Sequence, residues 1–156
     1  MTKKLLFSWL LLAVCCLPVL AQIQEPVKFK TEWKTLSDNE AEIIFTGTID
    51  EGWHVYSTDL GDEGPTQASF NIDAIKGATL EGKLMPRGKE VDKMDPVFDM
   101  RVRYFEKQAV FVQKVKLQGG EYRLAGYLEY GACNDENCLP PSAVEFTFNG
   151  TAAATA

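Results

Sequence analysis

The chain is poor in the residues that most often carry chemistry. One histidine, His54, and four cysteines stand among 156 residues, and Cys15 and Cys16 lie in an N-terminal apolar run. A zinc site needs three or four suitably spaced ligands, yet no Cys-x-x-Cys or His-x-x-x-His pattern occurs. Neither a metal nor a cofactor is expected. Positive charge is scarce as well. Of 16 basic residues, Lys3 and Lys4 fall in the leader, which leaves 14 against 22 acidic ones and a formal charge of −8. That balance argues against nucleic acid or anionic membrane as a partner.

Long apolar runs are missing with one exception, Leu5 to Cys16. It is too short for the roughly 20 residues of a membrane span. With Lys3 and Lys4 before it and Val19-Leu20-Ala21 after it, residues 1–21 read as a secretory signal peptide cleaved before Gln22. A lipid-bearing Cys15 is the lesser reading, because Val14 is bulkier than the small residue such processing favours. Export implies a periplasmic protein in a compartment where disulfides persist.

Helical periodicity is also absent, and period-two alternation takes its place. Val27, Phe29, Thr31 and Trp33 alternate with Lys28, Lys30, Glu32 and Lys34, as a half-buried strand should. Further strands are expected at 41–46, 53–58, 68–72, 79–84, 102–105, 109–117, 122–130 and 143–148. Turns are expected at Asp50-Glu51-Gly52, Gly61–Pro65, Pro86-Arg87-Gly88 and Gly119-Gly120. Eight or nine short strands in one domain, residues 22–150, fit an immunoglobulin-like antiparallel β-sandwich. Residues 151–156 read as a frayed tail, and Lys89 to Asp99 as the one long connection.

The exported chain retains Cys133 and Cys138, within "YGACNDENCLPP" from Tyr130 to Pro141. A structural staple is one reading, but closing so short a loop removes only about 2 kcal/mol of unfolded-chain entropy. A metal pair is another, with His54 as the sole imidazole to help; otherwise His54 reads as a surface or rim residue of a strand. The third is redox exchange, which requires access to one sulfur along the S–S axis. Pro140 and Pro141 cannot continue a ladder, so the connection is expected to project from a sheet edge and offer that access. Asp135 and Glu136 disfavour thiolate and would keep a reduced pair sluggish toward stray disulfides.

Gly52-Trp53-His54-Val55-Tyr56, "GPTQASF", "DPVFDMRVRYFEKQAVFVQKVKL" and "YGACNDENCLPP" together resemble the N-terminal periplasmic domain of the DsbD thiol:disulfide interchange family, over about residues 42–148. The resemblance implies an immunoglobulin-like sandwich whose Cys133–Cys138 pair exchanges disulfides. It implies electrons accepted from a thioredoxin-like domain or DsbD-type membrane protein and passed to oxidised periplasmic proteins. Cys138 would form the mixed disulfide, Phe98 would cap the pair, and Tyr56 and His54 would flank it. The cysteine loop is one residue shorter than in the best-known member. Pro96 and Val97 replace two acids there, with Asp95 and Asp99 beside them. The family's membrane and thioredoxin-like domains do not follow in this sequence, so a free-standing module and a fragment both remain open. The alternative function is a secreted β-sandwich binding module with an inert disulfide.

Overall fold

Alternation along the chain resolves into eleven strands. They are β1 (Val27–Ser37), β2 (Glu40–Ile49), β3 (His54–Tyr56), β4 (Ser69–Lys76), β5 (Ala78–Arg87), β6 (Val91–Asp95), β7 (Met100–Phe105), β8 (Gln108–Leu117), β9 (Gly120–Tyr130), β10 (Ala132–Cys133) and β11 (Ser142–Ala152). The structure, a computed structural model, describes residues 25–154. The expected leader, with Cys15 and Cys16, lies outside the described residues.

Every ladder is antiparallel. One sheet runs β1-β2-β8-β5 and a second β11-β9-β4, the ABED and GFC orders of an immunoglobulin sandwich. The inner faces bury Ile43 and Phe45 of β2, Phe111 and Val115 of β8, and Leu124 and Leu128 of β9. Aromatic rings knit the layers together. Phe45 meets Phe70 and Phe146 edge-on at 6.2 and 5.8 Å, and Trp33 stacks on Tyr122 at 5.0 Å.

A third sheet, β10-β3-β7-β6, is made from the connections of that sandwich. β3 interrupts the link from β2 to β4, β6 and β7 the link from β5 to β8, and β10 the link from β9 to β11. Three insertions distant in sequence thus pair with one another.

Several expected boundaries move. Lys89 to Asp99 is not one long connection, because Val91–Asp95 pairs with β7 as the edge strand β6. Val-Asp-Lys-Met-Asp puts charge on both faces and so hides its alternation, as edge strands commonly do. The turn expected at Pro86 is strand instead. β5 is an edge strand, where a missing N–H costs no ladder bond. A register shift between Glu81 and Met85 brackets Gly82, whose φ of 71° suits a bulge. Thr151 and Ala152, expected in the tail, pair with Glu121 and Gly120. Ladder hydrogen bonds need no large side chain, so composition alone understated β11.

Gly126 sits on the central strand β9 where β4 shifts register between Ile72 and Ala74. A Cβ there would press into the Asn71 carbonyl oxygen and lie 3.0 Å from Ile72 Cα. Gly126→Ala is therefore expected to lower stability by about 1–3 kcal/mol in urea denaturation. An unchanged midpoint would mean that β4 does not approach β9 so closely.

Candidate functional site

The site begins with a ladder two residues long. Ala132 pairs with Val55 and Cys133 with His54, and β3 continues to β7 through Val55–Phe105 and Tyr56–Tyr104. Directly opposite residues share a face of the sheet, and neighbours along a strand take opposite faces. Val55, Phe105 and Ala132 consequently enter the main core. Cys133, His54, Tyr56 and Tyr104 all stand on the other face. β6 extends that face, because Val91 pairs with Tyr104, Lys93 with Val102, and Asp95 with Met100.

The second face has a small core of its own. Tyr56, Leu60, Val102, Tyr104 and Cys133 cluster there, with Val91 and Met100 packed against them. Leu60 arrives from the connection between β3 and β4 and closes the cluster from outside. Cys133 is only 5% exposed. The expectation that the whole cysteine connection projects from the sheet edge is thus corrected: its first half is strand β10, held down by the β3 ladder.

Beyond Cys133 the chain reverses tightly. Asn134 Oδ1 accepts from the backbone N–H of Glu136 at 2.9 Å and of Asn137 at 2.6 Å, and Asn134 N–H donates to the Asn137 carbonyl at 2.8 Å. Such an Asx turn mimics a backbone turn with a side chain. Leu139 N–H then donates to the Ala132 carbonyl at 2.9 Å, which sets Cys138 opposite Cys133 as an isolated bridge. The two form a disulfide with Cα atoms 4.0 Å apart. Cys138, with Asp135, Glu136 and Asn137, is exposed. One cysteine is therefore anchored in a packed cluster and the other is an exposed residue of the turn.

His54 is half-buried on the site face, at the start of strand β3. Its Nε2 lies 3.1 Å from Tyr56 Oη, and its ring centroid is 4.5 Å from that of Tyr104. Burial, aided by the Lys93 ammonium, lowers the imidazole pKa below its ordinary value. Burial chiefly, and Asp95 after it, push the Tyr56 hydroxyl up to about 12. Lys93 lies 5.5 Å from the Tyr104 ring centroid, and its hydrogen bond to Tyr104 raises its pKa.

Asp95, Phe98 and Asp99 belong to the β6–β7 turn. Asp95 Oδ1 accepts from the N–H of Val97 at 2.8 Å and of Phe98 at 3.3 Å, so this carboxylate shapes the turn. Asp99 is exposed at φ 50°. Phe98 is half-buried and lines a surface hollow of about 460 Å³ with Leu60, Gly61, Asp62, Glu63 and Met100. Leu60 and Met100 also pack in the Cys133 cluster, so the turn abuts that cluster. Tyr104, Val102, Leu60 and Lys93 were not singled out from sequence. The alternation of Val102 and Tyr104 in "RVRYF" marks them as one face of a strand, but nothing local says that this face turns away from the main core. Among the described residues, no group of three or more His, Cys, Asp or Glu side chains could hold a metal ion.

A family model described as the N-terminal part of the thiol:disulfide interchange protein DsbD matches residues 21–150. Among solved structures, the reduced N-terminal domain of DsbD from Neisseria meningitidis is 21% identical with a TM-score of 0.46, covering 79% of this chain and 86% of that one. The N-terminal periplasmic domain of ScsB from Proteus mirabilis is 13% identical with a TM-score of 0.55, and its likeness is one of fold. That match covers 81% of this chain but 46% of the ScsB structure. No curated protein matches the chain. A sandwich carrying one short-loop disulfide, matched by this family over most of its length, places the chain in the DsbD N-terminal domain family, as a module of thiol–disulfide exchange.

Proposed function

We propose that the domain carries two electrons at a time between a thioredoxin-like reductant, free or part of a DsbD-type membrane protein, and oxidised proteins of the periplasm. The unequal exposure of the two cysteine residues is the observation that carries this reading. A reduced partner's thiolate attacks Cys138 Sγ, the Cys133–Cys138 bond breaks, and Cys133 departs as thiolate. The partner's second thiol then attacks the mixed disulfide and leaves the domain as a dithiol. In the outgoing half, Cys138 thiolate attacks a substrate disulfide and Cys133 resolves the product, restoring the bridge. Attack through a mixed disulfide needs access to one sulfur only, and Cys138 supplies it.

In this reading Phe98 and its turn restrict approach to the bridge until a partner displaces them. Support comes from the turn's contact with Leu60 and Met100, which also pack beside Cys133. Asp95 holds the turn in shape through its two backbone contacts. Asp99 closes it in a left-handed conformation.

Cys133→Ala, with Cys138 first converted to its mixed disulfide with an aromatic thiol, should pass to a covalent complex with a reduced thioredoxin-like partner that lacks its own resolving cysteine, the aromatic thiolate leaving. Cys138→Ala should not, and non-reducing gel electrophoresis reads the difference. Trapping through Cys133 alone would reverse the two roles. Replacing both, Cys133→Ala with Cys138→Ser, should abolish exchange while lowering stability by about 2 kcal/mol, the loop-closure contribution of so short a bridge. Alanine suits position 133 because a serine hydroxyl in that cluster would lack a partner. Failure of the double variant to fold would favour an inert staple. Finally, Phe98→Ala should speed reduction of the bridge by a small dithiol and change reduction by the protein partner far less. Identical small-dithiol rates in the two proteins would remove Phe98 from the mechanism.

A further inference from the structure

His54 is the one imidazole in the chain, and the fold places it directly across the β3–β10 ladder from Cys133. Opposite residues of an antiparallel pair hold their Cβ atoms about 4.5–5.5 Å apart on a common face. The imidazole therefore rises from the same face as the buried Cys133, one strand away. Two contacts fix its orientation there: Nε2 lies 3.1 Å from Tyr56 Oη, and the ring leans on Tyr104. Both rings lie in or against the cluster that buries Cys133.

The step that needs help is resolution. Once Cys138 carries a foreign sulfur, Cys133 must attack, and a buried thiol is a poor nucleophile until it loses its proton. We infer that His54 is the general base for Cys133, accepting the thiol proton on Nδ1 while its Nε2–H donates to Tyr56 Oη. The inference rests on the exchange role proposed above. The Cys133 S–H bond breaks and its proton passes to Nδ1. The thiolate forms the Cys133–Cys138 bond, and the bond from Cys138 to the foreign sulfur breaks. Its electron pair leaves on that sulfur, which takes a proton from the imidazolium or from solvent. The dithiol is oxidised and the foreign disulfide reduced by two electrons. In the reverse direction the imidazolium protonates Cys133 as it leaves.

The surroundings suit a base. Lys93 and Asp95 face the imidazole from β6, Asp135 from the cysteine turn, and Glu106 from the end of β7, beside Tyr56 and Tyr104. Burial and Lys93 outweigh the three carboxylates and favour neutral imidazole at neutral pH, the form a base requires. Tyr56 is a positioning residue. Its hydroxyl, hard to ionise, accepts from Nε2–H and leaves the Nδ1 lone pair for the thiol, in the way a third group orients a catalytic histidine.

The test uses the reduced protein and dithiobis-nitrobenzoate, an aromatic disulfide that releases a coloured thiolate. Fast release marks reaction at exposed Cys138; a slower second release is the attack of Cys133 on the mixed disulfide. Stopped-flow rates of that second phase, from about pH 5 to 9, read resolution directly. The wild-type rate should rise through an inflection below 6.5, the ordinary value from which His54 is lowered, and flatten toward neutrality. His54→Gln keeps an N–H for Tyr56 but no base. It should be slower at neutral pH by at least about tenfold and show only an inflection near that of an unassisted thiol, about 8.5. Tyr56→Phe should lose less rate and keep the acidic inflection. Equal rates and profiles for wild type and His54→Gln would overturn the assignment. If His54→Gln does not fold, the wild-type profile decides, and a single inflection near that of the unassisted thiol overturns it. No protein partner takes part, so failure here leaves the exchange role standing, whereas failure to trap a partner complex would remove that role.

Discussion

The site depends on a sheet that is buried in the middle of both faces. β3 is three residues long and β10 only two, and pairs so short do not hold together alone in water. They persist because Val55, Phe105 and Ala132 are part of the main core on one side. On the other, Tyr56, Tyr104, Val102 and Cys133 have Leu60 over them. Removing both faces would leave β10 with two ladder partners and no apolar burial. The position of Cys133 is thus a consequence of packing on both faces, including the one that does not carry it.

That arrangement separates the fold from the chemistry. The disulfide joins residues five apart, so opening it frees little chain. The Asn134 turn stays closed through bonds made by its own side chain and backbone. The ladder that holds Cys133 is made of backbone pairing with β3 that does not depend on the bond to Cys138, and in the exchange proposed above it keeps the resolving sulfur near the one that partners attack. Holding reactants in such proximity lowers the entropic part of a barrier before any chemistry begins.

Charge around the pair is distributed by depth. Asp135 and Glu136 are on the exposed turn, where solvent screens them, and Asp95 is occupied with the backbone of its own turn. The layer beneath instead holds half-buried His54 and buried Tyr56 and Tyr104, with the Lys93 ammonium over the last ring. Reactive cysteines generally sit in electropositive surroundings. Here acidic residues share the exposed turn with Cys138, while aromatic residues pack around Cys133 and the imidazole stands on the same face.

Much of this was legible in the sequence. Alternation in β1, β2, β8 and β9 marked the sandwich strands, because half-buried strands must present apolar residues at period two. The Cys133–Cys138 spacing, bounded by Pro140 and Pro141, marked the connection that carries the disulfide. Edge strand β6 was hidden by charges on both its faces, and the last residues of β5 by Pro86, which an edge tolerates. What the tertiary structure alone decided is which face of each strand is covered, and by what. Alternation assigns Tyr56 and Val55 to opposite faces but is symmetric between them; only the pairing of β3 with β7 and β10, brought together from three separate connections, sends Val55 inward and sets His54 beside Cys133. Local sequence specifies period, whereas burial is a property of long-range register.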